Sequence, residues 1–193
     1  MNTATTTNWH ESNQRYLMAR LSVVREVLTR HAARAQDMPE EEEPDEATDQ
    51  ALHDATLSLP APSALDSLCA AFGLSTFECD VLLLCAGMEL DSAFSQVCAA
   101  AQGKPQRAYP TFDLALAALP EAHWSALTPA APLRRWRLIE VGIGDTLTTS
   151  PLRIDERVLH YLTGVSYLDA RLHGFVELLP PPADLPPSHR ELA

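Results

Sequence analysis

Lysine is almost missing from this 193-residue chain: Lys104 stands alone, and all basic residues together number 14 against 26 acidic ones. So few cations exclude the broad positive surface that pulls a protein onto nucleic acid or anionic lipid. Glycine is scarce as well, at seven residues, and aromatics make up 6%. Both argue against an all-β design, whereas the Ala/Leu-rich stretches favour helix, so the chain is expected to be mainly α. The longest apolar run, over residues 81–88, is far short of the roughly 20 residues that cross a bilayer. Residues 1–13 are polar and include Trp9 and His10. They lack the basic start and apolar stretch of a signal peptide, which predicts a cytoplasmic protein.

Several chemistries lack their residues. A phosphate-cradling loop needs G-x-x-x-x-G-K-[ST], and the one lysine follows no glycine at that distance, so the chain by itself is not expected to bind or hydrolyse ATP. Neither H-E-x-x-H nor G-x-S-x-G occurs. The seven histidines are scattered, and His160 on the last helix reads as structural rather than as a general base. Glu40 to Glu43 lack the Asp/Asn and Gly positions of a calcium loop. The four cysteines, Cys69, Cys79, Cys85 and Cys98, form no C-x-x-C pair and have no partner ligands at zinc spacing. They are expected to be buried free thiols. No catalytic residue, cofactor ligand or metal ligand is therefore assigned.

The net charge of −12 is concentrated. Eight acidic residues lie between Pro39 and Asp54 with no Lys or Arg among them, and without those eight the net charge is −4. That stretch reads as a flexible acidic linker over residues 37–62, too charged and too poor in apolar side chains to offset its ordering entropy. Before it, Leu17, Leu21, Val24, Leu28 and His31 recur in steps of 4, 3, 4 and 3. They define one stripe on an amphipathic helix within residues 1–36, fit to pack on its own domain or to seed a coiled coil.

Beyond the linker, helix signals come in close succession over residues 63–172. Ser63 with Asp66 opens a helix that Gly73 closes, and Ser75 with Glu78 forms a capping box for the next, which is apolar nearly all round. Asp91 is placed to cap a third helix ending at Gly103, and Thr111 a fourth ending before Pro120. The period then turns extended. Residues 136–141 and 147–154 flank Gly142-Ile-Gly-Asp, whose glycines suit a turn of positive φ, and Asp155 caps a last helix with Gly164 past its end. Short helices followed by a small β-hairpin and one more helix is the order of a winged helix, here at about residues 109–172. Residues 168–172 have room for one further turn, and the Pro-rich residues 173–193 read as an extended exit linker.

One cluster stands out. Arg134, Arg135, Trp136 and Arg137 sit between the last helix before the hairpin and the first strand, and form the candidate partner-binding site. Three readings are open: Trp136 in the core with the arginines paired to Glu140, Asp155 or Glu156; a protein-binding surface; or phosphate contacts on nucleic acid. The wing, residues 143–149, carries no Lys or Arg, which disfavours nucleic acid.

Four phrases carry a family resemblance. Leu74-Ser-Thr-Phe-Glu-Cys-Asp-Val-Leu-Leu-Leu-Cys-Ala-Gly-Met-Glu-Leu-Asp, Tyr109-Pro-Thr-Phe, Pro132-Leu-Arg-Arg-Trp-Arg-Leu-Ile-Glu-Val and Leu152-Arg-Ile-Asp-Glu-Arg-Val-Leu-His-Tyr-Leu-Thr-Gly occur in an order that resembles the N-terminal region of bacterial AAA-type ATPases, including those of phage-tail-like contractile injection systems. The resemblance covers about residues 13–172 and contains no Walker motif, so no catalytic residue is carried over. It implies a non-catalytic accessory domain that recruits a protein partner or substrate, or regulates ring assembly, in a parent that is hexameric and binds ATP and Mg. The rival expectations are a free-standing DNA-binding winged helix and an oligomerisation adaptor built on the Leu17–His31 stripe. No membrane role is expected.

Overall fold

The computed structural model describes residues 3–35 and 46–165. Eight helices are present among them: α1 Thr3–Ala35, α2 Glu46–Leu57, α3 Ala64–Phe72, α4 Thr76–Leu90, α5 Ala93–Ala101, α6 Phe112–Ala118, α7 Pro132–Arg135 and α8 Glu156–Leu162. Strands β1 Ile139–Val141 and β2 Leu152–Ile154 pair antiparallel, with Ile139 opposite Ile154 and Val141 opposite Leu152. The described residues are thus mainly helical with one small hairpin; the composition predicts the helix and the extended period around Gly142 the hairpin.

Helix α4 is the centre. Eleven consecutive residues from Phe77 to Gly87 are buried, which an amphipathic surface helix would not show. Its capping box forms as the sequence specifies: the Ser75 hydroxyl accepts from the Glu78 N–H at 3.2 Å, and the Glu78 carboxylate accepts from the Ser75 N–H at 3.0 Å. Gly87 lets α5 approach, since a methyl group there would run into the Phe94 ring.

The α1 stripe packs on the chain's own core. Leu17, Leu21, Val24 and Leu28 are buried, and the stripe ends on buried Ala32 instead of half-buried His31. With that face covered by α4 and α5, it offers no free seam for a coiled coil. Two ion pairs fasten α1 to the ends of α4, Arg20 to Asp80 at 3.1 Å and Arg25 to Asp91 at 2.5 Å. Burial raises the Asp80 carboxyl above its usual pKa despite the Arg20 guanidinium, which acts the other way. The helix also begins earlier than its apolar period suggests. Trp9 Nε1 donates to the Pro62 carbonyl at 3.1 Å, and Asn13 bridges α3 and α8, so its polar start is fixed by specific hydrogen bonds.

Four expectations need correction. Residues 46–57, expected within the linker, form α2, which packs on α1 through Thr48, Leu52 and Ala55. Glu46 and Asp49 lie in its first turn, where the helix dipole favours negative charge, so the acidity read as disordering supports the helix start. Secondly, Cys69 and Cys79 are joined in a disulfide across the α3–α4 turn, Cα atoms 6.3 Å apart; Cys85 and Cys98 are the buried free thiols expected of all four. Thirdly, the hairpin strands are shorter than the sequence suggests and the wing loop spans 142–151. Fourthly, Gly142 and Gly144 do not take positive φ. They serve close approach: an added Cβ would lie 2.9 Å from Pro151 Cγ at Gly142 and 2.8 Å from Ser150 Cα at Gly144. The expected turn at 168–172, the exit segment 173–193 and most of the acidic run lie outside the described residues.

Candidate partner-binding site

The sequence around the arginine cluster forces it outward. Pro132 starts α7 at a position where no N–H is needed, and Leu133 and Leu138 are buried at either side. Between these anchors the chain makes only one turn, closed by Trp136 N–H to the Pro132 carbonyl at 3.0 Å and Leu138 N–H to the Leu133 carbonyl at 2.9 Å. Arg137 takes the left-handed conformation with φ 53° and swings the chain into β1.

The four cluster residues then part in role. Arg134 donates from Nη1 to the Leu127 carbonyl at 2.7 Å and braces the turn Trp124–Leu127. Arg135 stacks its guanidinium over the Trp136 ring at 5.1 Å. Trp136 is 52% exposed, leaning on Phe72 with ring centroids 5.8 Å apart. Arg137 is exposed. The reading that places Trp136 in the core is therefore overturned: Leu133 and Leu138 take the inward positions of this turn, and Trp136 lies over Phe72 at the surface. The arginines do not pair with Glu140, Asp155 or Glu156 either. Asp155 is engaged by its neighbour: Arg157 Nε donates to Oδ1 at 3.0 Å and Nη2 to Oδ2 at 3.1 Å, while the Arg157 and Val158 N–H groups cap onto Oδ1. Burial alone would raise the Asp155 pKa, but these donors hold it below the usual carboxylate value. Glu156 sits 3.7 Å from His160, the i,i+4 neighbour.

Trp136 forms one end of a groove of about 450 Å³ between α3 and α8. Leu68, Ala71 and Phe72 come from α3, Leu138 from the start of the hairpin, and Val158 and Tyr161 from α8. Sequence reasoning missed Phe72, Tyr161 and Arg157. Phe72 carries the period of an inward residue, and only the placement of α8 shows that it is half-buried at a groove wall. A second concavity, about 620 Å³, lies beneath the wing with Glu89, Arg107, Asp145 and Arg153 around it, charges of both signs. Among the described residues no group of three or more His, Cys, Asp or Glu is placed to hold a metal ion, and no helix is long and apolar enough to cross a membrane.

The hairpin completes the module. Beyond its three residue pairs, Leu152 donates to the Pro110 carbonyl at 2.9 Å and Asp113 to the Thr148 carbonyl at 2.8 Å, which lash the wing to the start of α6. A family model described as a variant winged helix domain matches residues 50–176. The chain belongs to that family. No curated protein and no solved structure matches it. The matched region of this winged helix domain contains the whole arginine–tryptophan surface and both groove walls. Helix α1 lies outside the match, yet supplies a large part of the core.

Within the winged helix the features that read DNA are weak. The helix that leads directly into the hairpin, α7, has four residues, a single turn about 6 Å long at 1.5 Å per residue, too short to lay a row of side chains along a major groove. Helix α6 carries no Lys or Arg. The wing loop has Asp145 as its one charged residue and projects Ile143, fully exposed.

Proposed function

We propose that this winged helix domain is a non-catalytic protein-docking module, and that it serves as the N-terminal accessory region of a bacterial cytoplasmic AAA-type ATPase. In that role it recruits a protein partner or substrate to a hexameric ring, or regulates the ring's assembly; ATP and Mg belong to the parent's motor core. The observation that carries the docking role is the exposed Trp136 ring, held between Phe72 and the Arg135 guanidinium. Trp and Arg are the residue types that concentrate binding energy at protein interfaces, and both are here fixed before any partner arrives. The link to a motor is supported by the four phrases quoted above, Leu74 to Asp91 foremost. Sequencing the gene past codon 193 tests it: an in-frame G-x-x-x-x-G-K-[ST] segment is expected, and a stop codon with no such segment would overturn the same-chain version.

A second reading, a DNA-binding winged helix, is favoured by Arg135 and Arg137 standing exposed before the wing. A fluorescence titration with duplex DNA over a salt series decides it. Binding that weakens steeply with salt would support it, and no binding at micromolar protein would remove it.

A further inference from the structure

Resting on the docking reading above, we propose that the groove between α3 and α8 takes a short acidic segment of a partner protein, one apolar side chain seated on Phe72 and Leu138 and its carboxylates facing Arg135 and Arg137. The floor is apolar, so it rewards a bulky aliphatic or aromatic anchor. The charges around it do not cancel. Asp155 and Arg157 neutralise each other through the two side-chain hydrogen bonds already described, whereas Arg135 and Arg137 have no carboxylate within ion-pair distance among the described residues. The groove rim is therefore locally positive on a chain whose net charge is −12.

That contrast selects the partner. A basic segment would be drawn first to the acidic run at residues 40–54 and repelled at the rim. An acidic one is admitted at this rim, because at physiological salt the repulsion from the rest of the chain is screened beyond about 8 Å. Duplex DNA shares the negative charge but keeps its bases stacked within the helix, so it brings no apolar anchor to the floor. Stacking of Arg135 on Trp136, itself braced by Phe72, restrains these two side chains and lowers the ordering cost of binding.

The test is selection of random 12-residue peptides displayed on phage against the full 193-residue chain, followed by anisotropy titration of the enriched peptides at 0.15 M salt. Enriched peptides are expected to be net acidic around a Leu, Phe or Trp. Trp136→Ala and Arg137→Asn, the latter a residue that tolerates the left-handed backbone, should each weaken binding about tenfold or more while the thermal midpoint falls by no more than about 4 °C. Arg135→Glu should lose the acidic peptide and bind its Lys-substituted counterpart. Neutral or basic peptides that still require Trp136 would overturn the acidic chemistry and leave the docking surface standing. No enrichment, or peptides indifferent to Trp136→Ala, would overturn both. Displacement of the peptide by duplex DNA, or by a second copy of the chain seen as a dimer in light scattering, would replace the proposed occupant.

Discussion

Asn13 is buried on α1, and its amide serves two other helices at once: Nδ2 donates to the Leu162 carbonyl at 2.9 Å and Oδ1 accepts from the Ala64 N–H at 2.8 Å. The first partner is one of the orphan carbonyls at the end of α8, the second an orphan N–H at the start of α3. Asn13→Leu keeps the branched shape and the number of heavy atoms, adds somewhat to the volume, and removes both bonds. Each stranded group costs about 1–3 kcal/mol, so a loss of about 2–6 kcal/mol is expected. For a domain of this size about 2–4 °C accompanies each kcal/mol, which sets the expected fall in Tm at 4 °C or more, roughly, by circular dichroism. Glu11→Ala, at an exposed position two residues earlier, should leave Tm within about 1 °C. Hydrogen exchange gives the local check, since the Ala64 amide should exchange faster in Asn13→Leu. Because α3 and α8 are also the groove walls, the same variant should bind groove ligands more weakly. An unchanged Tm together with an unchanged Ala64 exchange rate would refute the assignment of Asn13 as the tie between them.

Three further outcomes follow from the packing. Gly87→Ala pushes a methyl group against Phe94 and should destabilise by about 1–3 kcal/mol in urea unfolding; a neutral result would mean that α5 can move away freely. Thiol labelling with iodoacetamide should find none reactive in the native chain, because burial raises the Cys98 thiol to about 12 and Cys85 further. Two should react after unfolding without reductant and four with it, whereas four without reductant would disprove the Cys69–Cys79 bond. Asp155 has a lowered folded pKa, so its contribution is present above the unfolded value and is lost as pH falls through the folded one. Asp155→Ala should flatten the acid limb of the stability profile and remove a helix cap worth about 1 kcal/mol at neutral pH, read by denaturant unfolding between pH 2 and 7.

Much of the fold was legible because it rests on local chemistry. Ser63, Ser75, Thr111 and Asp155 each cap the helix that follows them, and Gly73, Gly103 and Gly164 take the left-handed conformation that ends one. Asp91 shows the limit of even this: it accepts from the Ala93 N–H at 2.9 Å while the helix boundary falls one residue later. Helix α2 was hidden because its buried face is only Thr48, Leu52 and Ala55, too small a signal beside a run of like charge. The wing glycines were recognised as necessary for a reason that does not hold, since composition cannot separate a need for positive φ from a need for empty space.

The candidate site was legible as a string of residues and illegible as a surface, and the cause is geometric. Arg134 to Arg137 occupy one tight turn, so four adjacent residues point in four directions, and which of them braces, stacks or stands free depends on Leu127, Phe72 and α8, all distant in sequence. Sequence alone left Trp136 open between core and surface, because large aromatics are buried on average yet also mark interfaces. The structure buries Leu133 and Leu138 on either side, and two buried leucines five residues apart leave the intervening tryptophan outside. With 52% of Trp136 in solvent and only part of Phe72 beneath it, the ring stabilises the fold far less than a buried tryptophan would. Trp136→Ala should therefore cost little in stability while costing much in binding, a combination that separates a docking residue from a core residue.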